Sequence, residues 1–195
     1  MKMSKFEKKF VNSKKHAQTN IKKIEQLFQN IDLSNIHNVL EVGCGAGMLA
    51  NYLTEKYQMT VAGTDVDPEQ IELAKEYQKG NNRLNFFPAD ATDLPLKNSE
   101  FDLVLSFMVM HHITNWKKAF EEINRVLKPG GIFIIKDLSF SKITSNILNL
   151  LSDNYGIYTF NEIMLFLREK GLNSVFKESS KGILFKQFNL VLQKQ

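Results

Sequence analysis

The sequence predicts an α/β fold, a three-layer α/β/α sandwich built on a seven-stranded, mostly parallel sheet with one antiparallel strand near the C-terminus. Three observations carry this prediction. Apolar runs of strand length alternate five times with segments of helical periodicity between residues 38 and 136. Those runs are apolar on both faces, as strands covered by helices on both sides are. The last two strand-like runs are joined by a short link around Ser179-Ser180-Lys181-Gly182, so they are expected to be antiparallel neighbours.

The first strand spans residues 38–42 and breaks into Gly43-Cys44-Gly45-Ala46-Gly47. A helix to Lys56 follows, with Met48, Leu49, Leu53 and Tyr57 on one face. Strand, glycine-rich turn and helix form the unit that cradles an adenosine-bearing cofactor. Glycine allows the turn its backbone angles and keeps side chains out of the ligand's way. A dinucleotide turn would place its third glycine at position 48. That position is Met48, and the third glycine is Gly47. Glu41, just upstream, needs partners because an unpaired charge in an apolar strand is costly.

The remaining elements follow in order. The second strand covers residues 60–65, and Asp67-Pro68-Glu69-Gln70 opens a helix with Asp67 as N-cap and Gln70 at capping-box spacing. The third strand, residues 84–88, stops at proline. The fourth covers 101–107, a helix covers 115–127, and Lys128-Pro129-Gly130-Gly131 leads to a fifth strand at 132–136. Helices are predicted over 141–151 and 159–170, the latter opened by a capping box at Thr159 and Glu162. Strands at 174–178 and 184–192 close the chain.

Bulk properties narrow the function. The 195 residues suffice for one domain with a sizeable core. The single cysteine, Cys44, excludes an internal disulfide and a cysteine-rich metal site, and fits a reducing compartment, so a cytoplasmic location is expected. No stretch has the length of a transmembrane segment or a secretory signal. The basic character is concentrated in residues 1–30, where eight lysines face only Glu7 and Glu25. Residues 1–34 are therefore expected to form a basic arm and a helix from Ala17 to Ile31, with Ile21, Ile24, Leu27, Phe28 and Ile31 on one face, packing as a lid on a domain of residues 35–195. The arm has no arginine and little aromatic interleaving, so no nucleic-acid partner is expected.

Together the Glu41–Gly47 motif, residues 64–71, 90–95, 101–106, 121–131 and 159–171 resemble the class I S-adenosylmethionine (SAM)-dependent methyltransferases, in the broad ubiquinone/menaquinone-type and small-molecule group. The resemblance covers roughly residues 35–192 and implies a Rossmann-like fold. It implies SAM as cofactor, with S-adenosylhomocysteine (SAH) as product, and a small-molecule methyl acceptor. Its cofactor residues would be Glu41, Gly43, Cys44, Gly45, Gly47, Asp65, Val66, Asp90, Ala91 and Ser106. Asp65 would accept from the ribose hydroxyls, Val66 would lie on the adenine face, and Asp90 would take the adenine amino group. Glu41 would meet amides of the glycine loop, or water bound to the amino-acid part of SAM.

Methyl transfer by in-line displacement mainly needs alignment of donor and acceptor. His111 and His112 are candidates for the base that a protonated acceptor would require. No carboxylate or cysteine sits at ligand spacing beside them, so no metal is expected. Ser106-Phe107-Met108-Val109 lacks the Asn/Asp-Pro-Pro-Tyr pattern of enzymes that methylate bases or glutamine. The acceptor walls are expected to be the N-terminal helix, residues 111–116 and residues 140–158. The alternative is a non-catalytic SAM-binding regulatory or interaction protein. A nicotinamide oxidoreductase is disfavoured by Gly47. The acceptor, the atom methylated and the oligomeric state are not specified by the sequence.

Overall fold

In the computed structural model, residues 8, 11–151, 155–180 and 182–195 are described. Seven strands form one sheet in the order β3-β2-β1-β4-β5-β7-β6. They are β1 (Asn38–Val42), β2 (Thr60–Asp65), β3 (Leu84–Pro88), β4 (Phe101–Phe107), β5 (Leu127–Phe140), β6 (Leu172–Ser179) and β7 (Phe185–Lys194). The first five strands are mutually parallel. Strand β7 runs antiparallel to both β5 and β6, so it is the single reversed strand.

Helices α1 (Lys14–Phe28), α2 (Met48–Tyr57) and α3 (Pro68–Gln78) cover one face. Their Ile24, Leu27, Leu49, Leu53 and Ile71 pack on Val39, Val61, Leu103, Leu105 and Ile134. Helices α4 (Trp116–Val126) and α6 (Phe160–Glu169) cover the other, through Phe120, Ile123, Ile163 and Leu167 against Leu40, Val104, Phe133 and Ile135. Helix α5 (Lys142–Leu151) lies between β5 and α6 in the chain. Each strand thus alternates its side chains between two apolar layers, which explains the continuous apolar runs.

Four departures from the sequence reading have physical causes. Strand β5 is longer than residues 132–136 at both ends. At its start, the register passes from Phe101↔Leu127 to Leu103↔Ile132, so residues 128–131 bulge opposite Asp102. At its end, β7 carries it to Phe140, paired with Phe185. Helix α1 starts at Lys14, earlier than residue 17, because the Ser13 side chain caps it by accepting from the His16 amide. The capping box at Gln70 does not form: Asp67 accepts from the Glu69 amide, while Gln70 is fully buried with neither side-chain amide atom bonded among the described residues. The capping box of α6 does form, between Thr159 and Glu162.

Candidate functional site

The sheet order reverses between β1 and β4, and ligands of open α/β sheets bind over the strand ends at such a point. A cavity of about 540 Å³ lies there. Its floor is Glu41 with residues 43–46, and the ends of β2 and β3 add Asp65, Val66, Asp90, Ala91 and Thr92. Phe107, Met108 and Val109 at the end of β4, and residues 112–115 beyond it, form a second wall. Val11, with His16, Ala17 and Asn20 of α1, forms the third.

The glycine turn is held by its neighbours. Gly43 and Cys44 both donate their amides to the Thr64 carbonyl, at 2.7 and 2.9 Å. A Cβ on Gly43 would stand 2.2 Å from Val109 Cγ2. One on Gly47, at φ +77°, would stand 2.8 Å from the Phe86 ring and 2.9 Å from Ala74. Gly47 therefore serves the packing of α2 against α3 and β3 and does not line the cavity.

The acidic residues are arranged differently from one another. Asp65 accepts from the Gly45 amide at 3.0 Å and from the Asp67 amide at 2.9 Å, linking the turn to the start of α3. Burial pushes its carboxyl up, against the lowering effect of those two amides. Asp90 is exposed and accepts from the amide and hydroxyl of Thr92, both at 2.8 Å, through one oxygen only. Val66, 59% exposed, projects over the cavity rim.

Glu41 is buried, and its Oε2 has no partner among the described residues. Burial pushes its carboxyl up to about 8, partly offset by the Ala50 amide and reinforced by the charge of Asp65. The amide it meets is therefore in the first turn of α2, not in the glycine loop. Cys44 is buried beside these two acids, and its thiol is pushed well above the usual range by burial.

Ser106 is fully buried between Val42 and Ile135 in the sheet and does not line the cavity. The two histidines separate in the same way. His112 lines the cavity, whereas His111 is buried behind it, the ring centroids 4.0 Å apart. Among residues 140–158, Phe140, Tyr155 and Tyr158 do not line the cavity, and neither does Trp116. Tyr158 is a fully buried core residue with its ring against Trp116 at 5.1 Å, and Tyr155 flanks His112 at 6.2 Å.

Asp137 is the residue that sequence reasoning missed. It stands immediately after the predicted fifth strand, close to the place Asp65 has in the second, and that near-equivalent position is the signal that pointed to it. Fully buried, it lies 2.5 Å from His111 Nδ1 and accepts from the amides of Val109, Met110 and Leu138. Since a carboxylate only accepts, His111 donates from Nδ1. Met108 beside it has φ +61°, an uncommon value for a residue with a side chain.

An open parallel sheet with a cavity over its switch point, a glycine turn after β1 and acids ending β2 and β3 has the layout of α/β proteins that take an adenosine-bearing cofactor. Comparison with known proteins narrows the class. A family model described as a methyltransferase domain matches residues 40–135, from β1 into β5. The matched domain and the methyltransferases among the relatives support placing the chain with the class I SAM-dependent methyltransferases.

Methyltransferase GfsG of Streptomyces halstedii is 37% identical over 117 residues, 58% of this chain and 42% of that protein. Ajmaline N-methyltransferase of Rauvolfia serpentina is 34% identical over 113 residues, 54% of this chain and 39% of its own length. The chain thus spans about two-fifths of the curated relatives it matches. Among solved structures, geranyl diphosphate C-methyltransferase from Streptomyces coelicolor A3(2), in complex with Mg2+, geranyl diphosphate and S-adenosyl-L-homocysteine, superposes with a TM-score of 0.74. It is 13% identical, and the match covers 94% of this chain and 84% of that one. No described helix is long and apolar enough to cross a membrane. Among the described residues, no group of three or more His, Cys, Asp or Glu side chains could hold a metal ion.

Proposed function

We propose that the protein transfers the methyl group of SAM to a small-molecule acceptor by in-line displacement, in the cytoplasm. The observation that carries this reading is that one cavity unites the glycine turn, Asp65-Val66 and Asp90-Ala91-Thr92. The residues present fit SAM. Its ammonium and sulfonium are cationic, and the buried Glu41 Oε2 without a partner offers an acceptor for such a charge. Asp65 and the second oxygen of Asp90 fit the ribose hydroxyls and the adenine amino group, and Val66 fits the face of the ring. When bound, SAM supplies an already activated methyl group.

The protein's own work is then orientation, exclusion of water and handling of one proton. Residues 107–109 and 112–115 face the space beyond the cofactor residues. His112 is placed to take a proton from an acceptor that arrives protonated. His111, pinned by Asp137, braces that ring from behind. Lys8 and residues 11–20 act as the lid of the basic arm: Lys8 lies 2.5 Å from Asp67 at the start of α3, and α1 walls the cavity. The small-molecule acceptors named in relatives such as ajmaline N-methyltransferase support the acceptor class.

Calorimetry with SAH, SAM and NAD tests the cofactor reading. SAH and SAM are expected to bind at micromolar concentration and NAD not at all. Absence of SAM binding at millimolar concentration would refute it.

A further inference from the structure

Three acids, Glu41, Asp65 and Asp90, line the cavity from β1 and the ends of β2 and β3, while His16 and Asn20 line it from α1. Against that α1 wall lies Lys136 of β5, 7% exposed, on the sheet face that α1 covers. Its Nζ donates to Asn20 Oδ1 at 3.0 Å and sits 5.9 Å from the centroid of the Phe107 ring. The Asn20 side-chain nitrogen lies 3.2 Å from His16 Nε2. Lys136, Asn20 and His16 thus form a line of polar groups that ends in the cavity.

No carboxylate balances this lysine among the described residues. Glu178 is taken by Lys23 at 3.3 Å and, at 3.0 Å, by the side chain of Asn189, which stands opposite Lys136 in the sheet. An ammonium has three donors, and Lys136 uses one, on a neutral amide. Burying a cation without a counter-charge is expensive, so such an arrangement is retained where a ligand brings the opposite charge. Burial and the charge of Lys23 both press the Lys136 ammonium towards its neutral form, and His16 is lowered by burial and by Lys136. An anion at this point would relieve all of these.

We infer that the methyl acceptor is a small organic anion, whose anionic oxygens dock on Asn20 and His16 with Lys136 as the balancing charge. The inference rests on the methyltransferase reading, which assigns Glu41, Asp65 and Asp90 to the cofactor and leaves the α1 wall to the acceptor. Carboxylate and phosphate monoester share the required chemistry. Lys136 acts through Asn20 and is a positioning residue.

The test is a titration of the full chain, with and without SAH, by benzoate, phenyl phosphate and benzamide, which share one ring. At least one anion is expected to bind about tenfold or more tighter than benzamide, equivalent to about 1.4 kcal/mol. Which anion binds tighter identifies the acceptor group. Lys136→Met should abolish the preference while changing SAH affinity less than about twofold, and should raise the melting temperature, because it removes an unbalanced buried charge. Lys136→Arg, which keeps the charge, should retain the preference.

Equal binding of anions and benzamide, no binding of any of the three, or a preference that survives Lys136→Met would each overturn the inference. Failure of SAH to bind would instead refute the cofactor reading. The anion preference is also read on the SAH-free protein, so the two failures are distinct.

Discussion

Asp137 holds His111 at 2.5 Å from the far side of the ring that backs His112. The same carboxylate gathers the amides of Val109, Met110 and Leu138, so it shapes the turn after β4 as well as the histidine. Asp137→Ala strands several buried donors, each costing about 1–3 kcal/mol. Urea unfolding should therefore show a loss of about 3 kcal/mol or more. His112→Ala should leave SAH affinity unchanged and lower turnover of a protonated acceptor by about 10²–10⁴-fold. Undiminished turnover of such an acceptor would remove the base role.

Asp65→Ala should weaken SAH binding by about 1–3 kcal/mol, through lost charge-assisted hydrogen bonds. It should also lower the melting temperature, since Asp65 ties Gly45 to Asp67 without any ligand. Calorimetry and thermal unfolding separate the two effects, and unchanged SAH affinity would mean the ribose assignment is wrong.

Glu41 gives stability a pH slope. Its carboxyl sits near 8 in the folded chain against an ordinary 4.5, so between those values the folded state holds the proton more tightly than the unfolded one. Its contribution is complete below about pH 4.5 and is lost as pH rises through about 8. The slope is at most about 1.4 kcal/mol per pH unit. Urea unfolding at pH 5 to 8 should show this slope in the wild type and its loss in Glu41→Gln. A cationic cofactor group favours the ionised acid, so SAM binding should release a proton and strengthen as pH approaches 8. Calorimetry in buffers of different ionisation enthalpy reads that proton directly.

Lys8 spans from the arm to Asp67 and Glu69, both at 2.5 Å. Lys8→Glu places a third negative charge there. Limited trypsin digestion should then cut near Lys14 and Lys15 several times faster, and SAH should bind about tenfold more weakly, near 1.4 kcal/mol. Equal affinity would show that the arm does not cover the cofactor.

Strands β1 to β4 were legible because burial on both faces leaves apolar runs, and Gly43, Asp65, Pro88 and Met108 punctuate them within a few residues. The glycine turn is local to a strand end and was read from its spacing, while the roles expected of Asp65 and Asp90 came from the resemblance. What escaped reading was non-local. Asp137 meets His111 across 26 residues, and Lys136 meets Asn20 across 116. The length of β5 depends on β7, which lies far along the chain. Ser106, His111 and Tyr158 carried plausible chemistry, but the inward alternation of the elements turned them into the packed interior.

The place of β7 in the sheet orders the birth of the protein. Strand β6 is made first but pairs in the sheet only with β7, so it does not cover the edge of β5 on its own. Until residues 185–194 leave the ribosome, β5 presents an open edge carrying Phe133, Ile134 and Ile135. Such an edge templates pairing with other chains. Synthesis therefore leaves a sticky intermediate until the ten-residue strand β7 slides between two older ones, and a chain stopped short of residue 185 should be found with chaperones or in aggregates.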